Sequence, residues 1–274
     1  MLNQDVRLPA VAGRFYPLDR NDLIATMRSL GDQDPPPHSI FHNAIACLSP
    51  HAGYQYSGGV AYSVYSRLPA CHSYIVLGPN HFGRGQQLST LSVDWLTPLG
   101  VAAVDRTLTL ALLKESLGLA DDPVAHAKEH SLEVQLPFLQ YLTKDFTFVP
   151  IAIGSVPFIE LQKLGLTVAR LIRASGQRTM IVASSDLNHY EPDAVTRIKD
   201  HKAIARILAL DPQGLVEVID REQISMCGFA PAVVMLTAAK ALGAAKGTLV
   251  RYATSADAGG DRSAVVGYAG IIID

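Results

Sequence analysis

Long apolar runs, clusters of positive charge and paired cysteines are all scarce in this 274-residue sequence. No apolar stretch approaches the roughly 20 residues that a membrane-spanning helix needs. Three cysteines are too few for a disulfide framework, which argues against a small secreted scaffold. With a net charge of −2 and no block of Lys or Arg, the sequence lacks the electrostatic signature of a protein that binds nucleic acid or a membrane surface. The first residues also lack a signal-peptide core, so we expect a cytoplasmic protein.

The sequence does contain the alternation of apolar segments that is typical of an α/β protein. Three strongly apolar strands are predicted, at residues 44–48, 73–77 and 179–183. Because helical segments separate them, we expect a mostly parallel or mixed central sheet flanked by helices. The last two strands, 248–254 and 264–273, are too close in sequence for a helical crossover and should be antiparallel. We predict one domain over residues 1–274.

Glycine and proline predict where several helices end or bend. Gly176 and Gly243 are expected to end two long helices, because glycine readily adopts the left-handed conformation of a helix C-terminus. Gly31 is expected to stop a shorter helix that begins near residue 22. Pro137 should kink or confine the helix at 131–142, since proline cannot donate a backbone hydrogen bond.

Titratable side chains follow all three apolar strands. His51 comes after the first, His81 after the second, and Asp186 with His189 after the third. A single histidine in such a place is more often an ordinary loop residue than a ligand. Three parallel strands, however, would bring these residues to one crevice at the carboxyl edge of the sheet, where ligands bind in open α/β sheets. We therefore predict a functional site there.

Cys227 is expected to join this site from the start of a helix. The dipole and free N–H groups at a helix N-terminus favour a thiolate. The alternative is a buried and inert cysteine, which is our expectation for Cys47 and Cys71. A set of His51, His81 and Cys227 suits Fe(II), copper or Zn, and it would leave a coordination position open.

Further polar residues are predicted to line the crevice. His130 and Glu133 fall at a helix start and could face it, although Glu133 could equally be a simple partner of the helix dipole. Tyr54, Tyr56 and Asn80 are expected at its rim. Residues 126–130 match the zinc-binding pattern H-x-x-E-H only weakly, because that motif needs one continuous helix. Phosphate-binding loops and nucleophile elbows are absent from the sequence.

These motifs together resemble those of the Memo family. The resemblance extends over nearly the whole chain, and the segments that carry it are AGRFYP at 12–17, PHAGYQYSG at 50–58, LGPNH at 77–81, EHSLE at 129–133, SSDLNH at 184–189 and CG at 227–228. It implies the fold of the class III extradiol dioxygenases, which are non-haem iron enzymes. It also implies partner proteins of the radical-SAM and AMMECR types.

The resemblance assigns roles to individual residues as well. It implies that His51 and His81 bind the metal and that His189, beside Asp186, takes the place of the catalytic acid/base. Cys227 stands where the dioxygenases have a glutamate, so ring cleavage does not follow from the likeness. A softer, more oxidisable site is implied instead.

Three functions are therefore open at the level of sequence. The first is a mononuclear iron or copper protein on a dioxygenase-like scaffold, acting as a redox enzyme or in metal handling. The second is a metal-free enzyme with Cys227 as nucleophile, His189 or His51 as base and Asp186 as the orienting residue. The third is a non-catalytic module that binds a small molecule or a peptide in the same crevice.

Overall fold

A computed structural model describes residues 6–34, 39–116, 118–143 and 145–274. Twelve strands form one mixed sheet: β1 (Val6–Arg7), β2 (Ala46–Ser49), β3 (Ser73–Pro79), β4 (Leu88–Thr90), β5 (Asp94–Thr97), β6 (Gly100–Val104), β7 (Leu119–Asp121), β8 (Thr147–Ile153), β9 (Thr179–Ser184), β10 (His189–Glu191), β11 (Gly247–Thr254) and β12 (Val265–Ile273). Their main order is β1-β5-β6-β8-β3-β9-β2-β12-β10, with β11 beside β12, and β4 between β7 and β8.

Helices cover both faces of this sheet. They are α1 (Arg20–Asp32), α2 (Tyr54–Tyr65), α3 (Arg106–Glu115), α4 (Pro123–His126), α5 (Leu136–Leu142), α6 (Phe158–Ser175), α7 (Asp193–Leu208), α8 (Pro212–Glu222) and α9 (Phe229–Leu242). Short 3₁₀ helices lie at Glu133–Gln135 and Ser255–Ala258. Within the described ranges, every helix is too short or too polar to span a bilayer.

The centre of the sheet is parallel, as predicted. β8, β3, β9 and β2 run in one direction, and Ser49 pairs with Ser184 at the carboxyl ends of β2 and β9. β12 runs antiparallel to both β2 and β11, which confirms the prediction for the last two strands. The carboxyl ends of β2, β3 and β9 therefore meet at one edge, and this edge carries the candidate site.

Apolar side chains cover the central strands on both faces. Alternate residues of β2 point to opposite sides, so that Leu48 belongs to the cluster under α6 and α9, whereas Cys47 belongs to the cluster under α1 and α2. Burial on both faces is why these strands are continuous apolar runs in the sequence.

The predicted helix ends are confirmed in two cases and wrong in one. Gly176 and Gly243 end α6 and α9 in the left-handed conformation, with φ of 63° and 102°. Gly31 does not stop α1, which continues to Asp32. A Cβ at Gly31 would lie 2.7 Å from Tyr62 Oη, so glycine is needed there for close packing of α1 on α2.

Pro137 confines its helix and does not kink it. The chain forms a 3₁₀ turn at Glu133–Gln135, and α5 begins only at Leu136. Pro137 then occupies the first turn, where no intrahelical partner is needed for its missing N–H. The break matters because it separates the segment that carries His130 from the regular helix.

Close packing of α6 on α9 gives a prediction about stability. A Cβ at Gly165 would lie 2.8 Å from Val234 O and 2.8 Å from Thr237 Cβ. We expect Gly165→Ala to lower the free energy of unfolding by about 1–3 kcal/mol, because the overlap outweighs the better helix propensity of alanine. Urea denaturation would measure this. Leu166→Ala, at an exposed position of the same helix, is the control and should change stability by less than about 0.5 kcal/mol. A stabilised Gly165→Ala protein would contradict the close contact.

Candidate metal centre

Three histidines meet at the carboxyl edge of the parallel strands. His51 lies two residues beyond β2, His81 two residues beyond β3, and His130 just before the 3₁₀ turn. One ring nitrogen from each lies within 4.8 Å of the others. The ring centroids of His51 and His81 are 5.0 Å apart, and those of His81 and His130 are 4.6 Å apart with nearly parallel planes. This group, which we call the histidine triad, could hold a metal ion.

The tautomer of His51 is determined by a single hydroxyl group. Ser184 Oγ donates its only proton to Ser131 O at 2.7 Å. It must therefore accept from both of its other partners, Gln135 Nε2 at 2.8 Å and His51 Nδ1 at 2.9 Å. With its proton on Nδ1, His51 leaves Nε2 unprotonated, which is the form required of a metal ligand.

Glu129 fixes His81 in the same way. Its Oε1 accepts from His81 Nδ1 at 2.9 Å and from Ser131 N at 2.8 Å, and its Oε2 accepts from His81 N at 2.8 Å. Burial alone would raise the pKa of Glu129, but the hydrogen bond and charge of His81 outweigh it and lower the pKa to about 2. Glu129 is thus an ionised carboxylate that holds His81 through Nδ1 and leaves Nε2 outside the hydrogen bond.

Burial keeps His51 and His130 neutral. It is the largest cause that lowers the pKa of His51 well below the usual 6.5, and neighbouring histidines add to the effect. Burial likewise lowers the pKa of His130 to about 4, although the charge of Glu129 opposes it. Neutral imidazoles bind metals and protonated ones do not, so these two side chains are ready ligands near neutral pH.

Cys227 lies beside the triad and not within it. Its Sγ is 3.2 Å from His51 Nε2 and 3.6 Å from Asp186 O. It immediately precedes Gly228, the N-cap of α9, as predicted. The predicted thiolate is wrong for the metal-free protein, because burial and the charge of Asp186 raise the pKa of the thiol well above its usual range. Desolvation here outweighs the helix dipole.

Asp186 and His189 lie on the Cys227 side of the site. Asp186 Oδ1 accepts from His51 N at 2.8 Å, so this carboxyl group holds the backbone of His51. Burial raises its pKa, and the bond from His51 opposes that effect. His189 donates from Nδ1 to Ser225 O at 2.9 Å, which leaves its Nε2 free. Asp186 is therefore bonded directly to a triad residue, whereas His189 is bonded to Ser225.

Glu133 does not reach the crevice where it was predicted. Its buried carboxylate accepts four hydrogen bonds, from Arg7 Nη1 at 2.7 Å, Ala10 N at 2.8 Å, Val11 N at 3.0 Å and Tyr16 Oη at 2.7 Å. It accepts none from a described histidine. The predicted alternative, a partner of the helix dipole, does not describe these contacts either, since Glu133 fastens the N-terminal segment to the segment that carries the triad.

Arg7 completes this fastening, which we call the Arg7–Glu133 clamp. Besides its ion pair with Glu133, Arg7 donates to His126 O at 2.8 Å and to Glu129 O at 2.7 Å, and its guanidinium lies 3.9 Å from the centre of the Trp95 ring. The N-terminal strand thereby holds the backbone of the residue that orients His81.

The residues predicted for the rim are divided between core and surface. Tyr54 is buried and donates to Val134 O at 2.7 Å, so its hydroxyl points away from the triad. Tyr56 is 43% exposed. Asn80 donates to Arg84 O at 2.7 Å, while its buried Oδ1 has no partner among the described residues. His126, from the weak zinc pattern, packs on Trp95 outside the triad.

Sequence reasoning missed Glu129, Gln135, Ser184 and Arg7 as parts of the site. Glu129 had a usable signal, since it directly precedes His130 and lies in the EHSLE motif. Ser184 lies in the SSDLNH motif, whereas Gln135 and Arg7 carry no local signal, because their partners are 49 to 126 residues away in the sequence.

Sequence similarity to known proteins identifies the family of this chain. A sequence profile described as "Memo-like protein" matches residues 7–272. The chain belongs to the Memo family. Proteins named as MEMO1 family members match it at 41% identity in Methanosarcina barkeri (98% of this chain and 100% of the relative) and at 42% in Archaeoglobus fulgidus (97% and 99%).

A solved structure shares the fold of this Memo protein. An uncharacterised protein from Escherichia coli K12 superposes with a TM-score of 0.57 at 16% identity, over 84% of this chain and all of that one. At this identity the likeness concerns the fold alone. It supports the predicted mixed α/β architecture.

The Arg7–Glu133 clamp should contribute strongly to stability. We expect Glu133→Gln to lower the free energy of unfolding by about 3–5 kcal/mol, because it leaves the buried Arg7 charge without its partner. Glu160→Gln, which breaks the exposed pair with Lys163, should cost less than about 1 kcal/mol in the same urea titration. A loss below about 1 kcal/mol for Glu133→Gln would show that the Arg7–Glu133 clamp contributes no more to stability than an exposed ion pair.

His126 should make stability depend on pH. Burial lowers its pKa in the folded protein from 6.5 to about 4, so the unfolded chain binds more protons between these values. The contribution of neutral His126 to the free energy of unfolding is full above pH 6.5 and is lost as the pH falls towards 4. We expect His126→Gln to reduce this acid slope by up to about 1.4 kcal/mol per pH unit, measured by urea denaturation from pH 7 to 4. His72→Gln, at an exposed histidine, should leave the slope unchanged, and an unaltered slope in His126→Gln would contradict the burial effect.

Proposed function

We propose that this Memo protein is a mononuclear metal protein, of iron or copper type, in which the histidine triad binds the ion. The observation that carries the proposal is the fixed tautomer of two triad members. His51 Nδ1 and His81 Nδ1 both bond to oxygen acceptors, so Nε2 of each ring is the atom left to bind an ion, where His130 also offers a nitrogen. Such backing of ligand histidines by outer-shell oxygen acceptors is typical of metal sites.

The donor set supports a transition metal. Three imidazoles are borderline ligands, and a sulfur atom lies within reach of the same centre, so iron, copper and zinc fit and magnesium and calcium do not. We favour iron or copper because the neighbouring thiol adds a soft, redox-compatible donor. A bound ion of this kind would supply Lewis acidity or electron transfer at the triad.

The remaining groups would handle protons and position the ligands. His189, with Nδ1 donated to Ser225 O, has an Nε2 that can accept a proton from a bound molecule. Asp186 holds the His51 backbone, and Glu129 holds both the ring and the backbone of His81. This division supports a redox or metal-handling role, with the substrate unassigned.

A second candidate function is a metal-free cysteine enzyme. The 3.2 Å distance between Cys227 Sγ and His51 Nε2 is that of a thiol–imidazole dyad. Burial counts against it, because it raises the pKa of Cys227 and lowers that of His51 and so favours the neutral pair over thiolate and imidazolium. We therefore rank it below the metal centre.

Elemental analysis of untagged, anaerobically purified protein tests the first proposal. We expect about one metal ion per chain, lost in His51→Ala and His81→Ala and kept in His72→Ala, whose histidine is exposed. Glu129→Gln should weaken metal binding by about 10–100-fold, because it removes the acceptor that orients His81. A thiolate charge-transfer band that disappears in Cys227→Ala would add the sulfur to the ligand set.

Two results would speak against the proposed metal centre. Unchanged metal content in a His51→Ala, His81→Ala double variant would contradict the metal centre. Fast alkylation of Cys227 at neutral pH in chelated protein, with activity retained, would favour the cysteine enzyme.

A further inference from the structure

A polar cavity of about 640 Å³ lies next to the histidine triad. Its walls come from the turn at residues 13–17, from α1 and α2, from β11 and from the 3₁₀ helix Ser255–Ala258. Its size is within the range of small-molecule sites. None of the roles argued above uses it.

Two arginines give this cavity an excess of positive charge. Arg14 lines it, and its guanidinium makes no hydrogen bond or ion pair with any described residue. Arg251 lines it too, and its Nη1 donates two long hydrogen bonds of 3.3 Å, to Gly59 O and Ser63 Oγ. The carboxylate on the wall, Asp257, is already paired with Arg197 at 2.9 Å. Arg14 is exposed and Arg251 is half-buried, and cationic side chains on one cavity wall without a counter-charge favour an anionic ligand.

Local contacts position the side chain of Arg251 and the backbone of Arg14. Arg251 lies against Gly59, where a Cβ would come within 3.4 Å of Nη1, so the glycine makes room for the guanidinium. The backbone at Arg14 is fixed by a turn, in which Arg14 N donates to Val11 O at 3.0 Å and Gly13 has φ of 81°. Glu133 in turn holds Val11 N. The contacts of Arg251 reduce the entropy that its side chain loses on binding a ligand.

Phe15 connects the cavity to the triad. It follows Arg14 in the chain and lines the cavity, and its ring centroid is 4.8 Å from that of His130. Its carbonyl accepts from Tyr54 N at 2.8 Å, which anchors it at the start of α2. A molecule seated in the cavity therefore borders the metal centre at Phe15.

We propose that this cavity binds the anionic group of a small molecule, a carboxylate or a phosphate, on Arg14 and Arg251, and that the rest of the molecule extends past Phe15 to the histidine triad. The proposal rests on the proposed function, because it names the class of ligand that the metal centre receives. Arg14 provides the main charge-assisted contact and Arg251 the second.

Soaking metal-free crystals in selenate tests where an anion binds. We expect an anomalous selenate peak within hydrogen-bond distance of the Arg14 guanidinium in the wild type and in Arg28→Gln, and no peak in Arg14→Gln. Arg28 is the matched control, because it is an exposed arginine of α1 that lines a different cavity. No selenate in the wild-type cavity, or an unchanged peak in Arg14→Gln, would overturn the proposal.

Calorimetry with inorganic phosphate gives the matching measurement in solution. Arg14→Gln should weaken phosphate binding at least tenfold, and Arg28→Gln should not change it. Equal phosphate affinity in the wild type and Arg14→Gln would identify an adventitious ion only and would also overturn the proposal. Since both measurements use metal-free protein, their failure is distinct from a failure of metal binding, which the metal content of the wild type reports separately.

Discussion

The hydroxyl of Ser184 is the group on which the candidate centre depends most directly. It has one proton to give and three oxygen or nitrogen neighbours, so its donation to Ser131 O requires His51 to donate from Nδ1. Ser184 is also the last residue of β9, paired in register with Ser49 of β2. The register of two parallel strands thus determines the protonation pattern of a histidine beyond their ends. A slip of one residue would reverse the face of every side chain on the strand and remove the hydroxyl from the site.

Charge is distributed asymmetrically around this centre. The triad rings His51 and His130 and the thiol of Cys227 are neutral because burial penalises their charged forms. An ionised carboxylate, Glu129, stands behind His81. The arrangement leaves a centre of low net charge with negative charge at its back, into which a cation fits better than it would into three protonated rings. Burial thus keeps His51 and His130 in the neutral form that binds metals, and it also disfavours the thiolate form of Cys227 in the metal-free protein.

Local patterns in the sequence were enough to predict the α/β class, the antiparallel final pair and the strand ends that carry His51 and His81. They were insufficient wherever long-range contacts determine the role of a residue or desolvation determines its protonation. Glu133 looks like the carboxylate of a helix start, and only its distant partner Arg7 shows that it belongs to a clamp. His130 lies in an irregular segment with no periodicity to orient it. The predicted thiolate failed because helix-dipole reasoning includes no measure of burial, which the chain alone does not display.

The hydrogen bond between Ser184 and His51 spans 133 residues of sequence, and this separation orders the events of synthesis. All three triad histidines leave the ribosome well before β9 exists. Until β9 is made and pairs with β2, nothing holds His51 in the tautomer that presents Nε2. Loading of an ion on the nascent chain would therefore use a disordered set of imidazoles, open to whichever metal is abundant. In the proposed metal protein, selective loading of the ion would therefore follow the formation of most of the sheet.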